Sequence, residues 1–280
     1  MVLIRVLFSL IISVNSLLAL TCFIQESWLS PSNLYKLNNF NNNYSFFGIS
    51  AMEEIVSHSI LKGRPHGGVC CLVQNKFRNN IKYVECKERF VVLVIDECIF
   101  VNVYLPSVKN QDDSDLLSSI LCDIDSVLDE AVKTLSCSDF NMFVGGDMNT
   151  NLNVNCKATN LINEFIDNWL LISCDKIIPS NLNYTYFHET LQSYSHIDFF
   201  LIRRLNNNIK LLKDFKILDD PCNLSDHLPI KIEVNIKLNT TKQKTSADIS
   251  GSFKSDLPQL DWGKGDKTID FFPLNSFKIN

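Results

Sequence analysis

Between residues 21 and 105 the chain runs through six short apolar segments, joined by polar or glycine-bearing links, and this pattern constrains the fold more than any other feature. The segments are 21–25, 44–47, 68–73, 83–86, 90–95 and 99–105, the pattern of an antiparallel meander. The period changes over 112–135, where Leu117, Ile120, Leu121, Ile124, Leu128, Ala131 and Leu135 recur at three- and four-residue steps behind an acidic first turn. That spacing predicts an amphipathic helix. A strand over 140–144 then runs into Gly145-Gly146. A second helix is expected over 158–171, with Leu161, Ile162, Phe165 and Trp169 on one face. Strands return at 184–187, 197–202, 209–218 and 230–236.

Strand clusters with helices between them predict an α/β fold, a layered sandwich of two mainly antiparallel or mixed sheets flanked by helices. With 280 residues and 46% hydrophobic content, the chain can bury one such core. We place that domain over 20–238, behind an atypical apolar segment at 1–19. The stretch 239–280 is rich in Thr, Lys, Ser, Asp and Gly and reads as a disordered tail.

The net charge of −5 argues mildly against a nucleic-acid partner, but local basic strips coexist with it. Lys76, Arg78, Lys82, Lys87 and Arg89 form one strip, and Arg203 and Arg204 another. The ten cysteines contain no CxxC pair and no Cys/His ligand spacing, which suits a reduced, intracellular protein without disulfides. The run from Val6 to Leu20 after Arg5 has the look of a secretory signal, and secretion stays open as the alternative. The run is too short and too polar for a transmembrane helix, and no membrane association is expected.

Four segments carry chemistry: Gln25-Glu26, Gly145-Gly146-Asp147-Met148-Asn149, Ser195-His196-Ile197-Asp198 and Ser225-Asp226-His227. Each places an acid, amide or imidazole where an apolar run meets a loop. Oxygen ligands without cysteine suit a hard cation, Mg²⁺ or Mn²⁺, and phosphate-ester chemistry. Asp147 and Asn149 are two apart and share a face if the strand continues, where an acid and an amide can hold a water and a phosphoryl oxygen. Asp198 lies in an apolar run and needs a partner, for which an imidazole N–H is the natural choice. His227 sits beside Asp226 at the mouth of the last strand. A plain turn would explain the Gly-Asp-Asn segment equally well, and a surface loop the Asp-His pair.

Taken together, the segments resemble the endonuclease/exonuclease/phosphatase superfamily, in the order Gln-Glu, Asn-Val-Tyr-x-Pro, Gly-Asp-x-Asn, Ser-x-Ile-Asp and Ser-Asp-His. The wording at Gln25-Glu26-Ser27-Trp28-Leu29, Gly63-Arg64-Pro65-His66-Gly67-Gly68-Val69 and Val101-Asn102-Val103-Tyr104-Leu105-Pro106 is similar to the endonuclease domain of LINE-type non-LTR retrotransposons. The resemblance implies a metal-dependent nuclease that nicks DNA and leaves a 3′ hydroxyl. It further implies that Glu26 and Asp226 bind the Mg²⁺ or Mn²⁺ and that Tyr104 contacts the scissile phosphate. Asp147 would activate water with help from Asn149, and Asp198 would orient His227 for the transition state or a shared base role. Arg64 and Asn102 would lie on the substrate side. DNA is the implied partner and the nucleus the implied place, with no stable protein partner.

That family opens with a strand ending in an Asn and then a helix ahead of Gln-Glu. Here Asn15 stands 11 residues before Glu26, too few for that arrangement. The first strand and helix are therefore expected to be missing, with residues 2–12 the only segment able to pair in the strand's place. Three functions stay open: a DNA endonuclease, an inactive retroelement remnant, or the same fold acting on RNA or a phospholipid or phosphoinositide.

Overall fold

Two six-stranded sheets face each other across a core of phenylalanine and branched aliphatic side chains. The computed structural model describes residues 7–14, 19–38, 42–53, 56, 67–204, 211–221, 223 and 225–239, with backbone alone for 7–14, 19 and 38. In chain order the first strands are β1 (Leu7–Val14), β2 (Ala19–Gln25), β3 (Tyr44–Ile49), β4 (Val69–Gln74), β5 (Ile81–Cys86), β6 (Phe90–Ile95) and β7 (Cys98–Tyr104). Then come β8 (Asn141–Asp147), β9 (Leu171–Ser173), β10 (Tyr186–His188), β11 (Ser193–Ser195), β12 (Asp198–Arg203), β13 (Leu212–Ile217) and β14 (Ile230–Val234). The helices are a single turn, α1 (Tyr35–Asn38), and the long α2 (Gln111–Lys133) and α3 (Lys157–Asn168).

One sheet has the order β13-β14-β1-β2-β4-β3 and the other β5-β6-β7-β8-β12-β9, while β10 and β11 form a separate ribbon. Most pairs are antiparallel. The parallel pair β7/β8 needs a long crossover, which α2 provides. A capping box starts α2: the Asn110 side chain accepts from the Asp113 N–H, and the Asp113 carboxylate accepts from the Asn110 N–H. Its apolar stripe, Leu117, Ile120, Leu121, Ile124, Leu128 and Ala131, is buried against the outer face of the second sheet with Ile162 and Phe165 of α3. The Trp169 indole N–H donates to Asp125 at 2.6 Å and ties the two helices together.

β6 lies between the helices and the opposite sheet, so all six of its residues are buried and its sequence is a continuous apolar run. In the inter-sheet core the Phe100 and Phe143 rings stack at 5.2 Å, and Phe23 meets Phe200 at 6.0 Å.

The place left open at the start of the chain is filled. β1 lies between β14 and β2, parallel to the first and antiparallel to the second. Only four residues separate β1 from β2. Leu7 pairs with Gln25 at one end of β1, and Val14 with Val234 at the other. The chain therefore leaves β1 at the end of the sheet remote from Glu26; Asn15 itself lies outside the described residues. Among those residues no helix is long and apolar enough to cross a membrane, and nine cysteines are free thiols.

Candidate active site

Tyr104, Asp147 and Asp198 form a row across three neighbouring strands at one end of the second sheet. Tyr104 pairs with Asp147 across β7/β8, and Asp147 with Asp198 across β8/β12. Cross-strand partners project to the same face, here the face turned toward the other sheet. Asp147 and Asp198 are 5% and 1% exposed. From the opposite sheet come Glu26, just beyond β2, and His227, ahead of β14. Two hydrogen bonds close the gap between the sheets: the Tyr104 hydroxyl donates to Glu26 Oε1, and His227 Nδ1 meets Asp198 Oδ2 at 2.9 Å. One ligand atom each from Asp147, Asp198 and His227 lies within 4.8 Å of the others.

Gly146 has φ +146°, and a Cβ there would fall 1.9 Å from the Val103 carbonyl oxygen, so only glycine fits. At this glycine the backbone lies in close contact with β7. The strand ends at Asp147, so Asn149 does not share its face by strand alternation. Asn149 is left-handed (φ +47°) and folds back, its N–H donating to Asp147 Oδ1 at 2.7 Å and its Nδ2 to Oδ2 at 3.1 Å. Nδ2 also donates to the Leu105 carbonyl at 2.9 Å, so the amide fixes the carboxylate. Glu26 is also left-handed (φ +51°), a conformation costing a non-glycine residue roughly 1–2 kcal/mol. The turn is held by the next two N–H groups, Ser27 donating to the Gly68 carbonyl and Trp28 to that of Gly67.

Burial drives the Asp147 carboxyl well above the carboxylate range, and the negative charge of Asp198 adds to this. Burial alone would push His227 down. The charge and hydrogen bond of Asp198, with Asp147 and Asp226 behind it, outweigh that and hold the imidazole at about 9. His227 is therefore a cation at neutral pH. Tyr104 is raised by burial and by its bond to Glu26, which keeps the hydroxyl protonated as a donor. The Arg89 guanidinium lies over the Tyr104 ring, 5.2 Å from its centroid.

Among the described residues the donor set fits a hard divalent cation. It is made of carboxylate oxygens, and Asp198 Oδ1 is buried with no hydrogen-bond partner. Glu26 and Asp198 supply the uncommitted oxygens, with Asp147 beside them. Asp226 is placed differently from the expectation: it is exposed, and its carboxylate contacts only Ser225 Oγ, at 3.5 Å. Its backbone carbonyl instead accepts from the Phe187 N–H at 2.9 Å.

Asn102 needs correcting as a substrate-side residue. It is 0% exposed and sits between the sheets, bonded to the Gln25 side chain and to the carbonyls of Ile24 and Cys70. Arg64 lies outside the described residues.

Two residues escaped the sequence reading. Thr185 Oγ1 accepts from the N–H groups of both Ile197 and Asp198 at 3.1 Å, fixing the start of β12. Tyr186 bridges His227 through the backbone and lays its ring 4.7 Å from the imidazole. Their only signal was Thr185-Tyr186-Phe187, an ordinary strand pattern.

No protein-family model matches the chain, and no curated protein sequence matches it. Solved structures do. A variant of the 3′ phosphatase NExo from Neisseria, bound to a product DNA hairpin, aligns at 13% identity and TM-score 0.58, over 82% of this chain and all of that one. An AP endonuclease from Archaeoglobus fulgidus aligns at 14% and 0.55, over 75% and 87%. The 3′–5′ exonuclease NExo from Neisseria meningitidis aligns at 14% and 0.55, over 79% and 91%. The fold is that of the exonuclease and AP endonuclease proteins.

Proposed function

We propose that the chain is a divalent-metal-dependent phosphodiesterase that cuts DNA, of the retrotransposon-endonuclease type, nicking one strand to leave a 3′ hydroxyl. The observation that carries this is the buried Asp147–Asp198–His227 group bridged to the opposite sheet by Tyr104–Glu26. The solved structures of similar fold include DNA-processing enzymes, one with a DNA hairpin bound, which favours DNA as substrate. The LINE-type wording around Trp28 and Tyr104 favours a nick that primes reverse transcription, and with it a nuclear place of action.

In this reading Glu26 and the free oxygen of Asp198 would hold Mg²⁺ or Mn²⁺, which when bound would supply Lewis-acid polarisation of a phosphoryl oxygen. Asp147, fixed by two Asn149 hydrogen bonds, would orient the attacking water and take its proton once the cation's charge offsets the burial that raises its carboxyl. His227 is already cationic and turns Nδ1 to Asp198, so its role is to face the charge gathering on the phosphate through Nε2, not to act as base. Tyr104 is protonated, and its one hydroxyl proton, given to Glu26 in this structure, would pass to a phosphate oxygen when Glu26 turns to the cation.

One observation favours the inactive-remnant reading: Val14, the last residue of β1, pairs with Val234 at the end of the sheet remote from Glu26. Nicking of supercoiled plasmid with Mg²⁺ and with EDTA, beside Asp147→Ala, separates the two. Metal-dependent nicking lost in the variant supports the enzyme. A folded wild-type chain that never nicks leaves the remnant.

A further inference from the structure

The geometry points to Gln25 and Asn102 as a positioning pair that sets the spacing of the two sheets under the metal-binding edge, and so the place of Glu26 against Tyr104. The inference rests on the proposed function and concerns residues that touch neither substrate nor metal.

Gln25 is 1% exposed and Asn102 0%. The Gln25 amide donates to Asn102 Oδ1 across the gap between the sheets. Asn102 Nδ2 then donates to the carbonyls of Ile24 at 3.1 Å and Cys70 at 2.8 Å. Ile24 and Cys70 are the last residue pair of the regular β2/β4 ladder before the Glu26 turn, beyond which Ser27 and Trp28 bond Gly68 and Gly67. One side chain from the second sheet thus closes the ladder of the first where β2 turns out of it.

The residues next in line are the ones the site uses. Glu26 follows Gln25 directly and takes its left-handed turn there. Tyr104 lies two residues after Asn102 on β7 and shares its face. The Gln25–Asn102 and Tyr104–Glu26 bridges therefore run side by side, one dry and structural, the other at the mouth of the site. A buried amide between two apolar sheets costs stability unless all its groups are paired, so the arrangement suits a task of registry more than of cohesion. Without the pair, the carboxylate of one sheet is no longer held at hydrogen-bond distance from the phenol of the other.

The test uses the full chain and Mn²⁺ as probe, with free Mn²⁺ read by electron paramagnetic resonance beside plasmid nicking. Asn102→Ala and Gln25→Leu are each expected to weaken Mn²⁺ binding about tenfold and to lower kcat 10- to 100-fold with KM for DNA unchanged. The double variant should be no worse than the weaker single one, since both remove one link. Asn80→Ala is the control: Asn80 bonds Asp96 and the Asn239 carbonyl at the far end of the sheet, so it should lower Tm while leaving Mn²⁺ affinity at the wild-type value. If Asn102→Ala does not fold, Gln25→Leu carries the test alone. Wild-type Mn²⁺ affinity in a folded Gln25→Leu chain overturns the inference while leaving the proposed function standing. A wild-type chain that neither binds Mn²⁺ nor nicks DNA overturns the proposed function, and this inference falls with it.

Discussion

Asp147 and Asp198 stand directly opposite each other on β8 and β12, both buried, and His227 Nδ1 meets Asp198 Oδ2 at 2.9 Å. Two carboxylates so placed repel unless a proton or a cation intervenes, and a single histidine compensates only one of them. The raised Asp147 carboxyl is one answer to that repulsion, and a divalent ion bound here would be another.

Divalent ions should accordingly stabilise the fold. Mg²⁺ or Mn²⁺ at a hundredfold excess over its dissociation constant adds about 2.7 kcal/mol to unfolding, visible as a raised Tm that EDTA reverses. Glu26→Ala should lose most of the rise. An equal rise in Glu26→Ala would remove Glu26 from the metal site.

Stability should fall on the alkaline side. The folded His227 titrates near 9 against an ordinary value of 6.5, so its proton favours the folded state. That contribution is complete below about pH 6.5 and is lost as pH rises through 9, and is worth about 3 kcal/mol. Asp147, also raised on folding, acts in the same direction from lower pH. Denaturant titrations at pH 6 and 9.5 should show the loss in wild type and a much flatter profile in His227→Gln. A wild-type chain equally stable at both pH values would contradict the Asp198 pairing.

Asp147→Ala and His227→Ala should each reduce nicking at least about a thousandfold while leaving the circular dichroism of the fold intact. Asn149→Ala, which frees the carboxylate without removing it, should cost about a hundredfold. Full nicking rates in either of the first two variants would mean the chemistry lies elsewhere.

Tyr104→Phe deletes one hydrogen bond to Glu26 and keeps the ring under Arg89. A change in stability of about 1 kcal/mol, with nicking down 10- to 100-fold, is expected. The reverse pattern, a large loss of Tm with normal kcat, would make Tyr104 structural.

Gly146→Ala should destabilise by more than about 2 kcal/mol, since the new methyl meets the Val103 carbonyl and the backbone sits at positive φ. Thermal melts decide this directly. An unaltered Tm would show that β7 and β8 can part without cost.

Much of this molecule follows from local pattern. The six early runs, the 3.6-residue stripe of α2 and the later strands are visible because each buries one face or both, and burial imposes its period on the sequence. Glu26, Asp147, Asp198 and His227 stood out because each ends or interrupts an apolar run, where a charge is costly without a partner. Other things lay beyond the sequence. The place of β1 between β14 and β2 depends on pairing between residues more than 200 positions apart, which no local period encodes. The family resemblance implied that Asn102 lies on the substrate side; only the facing sheet, bringing Gln25, Ile24 and Cys70 to it, makes it internal. Thr185 and Tyr186 matter through contacts made by a ribbon that folds against His227. Sequence determined which side chains are candidates for the chemistry, since burial and charge act residue by residue. Tertiary structure decided which of them meet, since the site lies between two sheets and its distances are set by how those sheets pack.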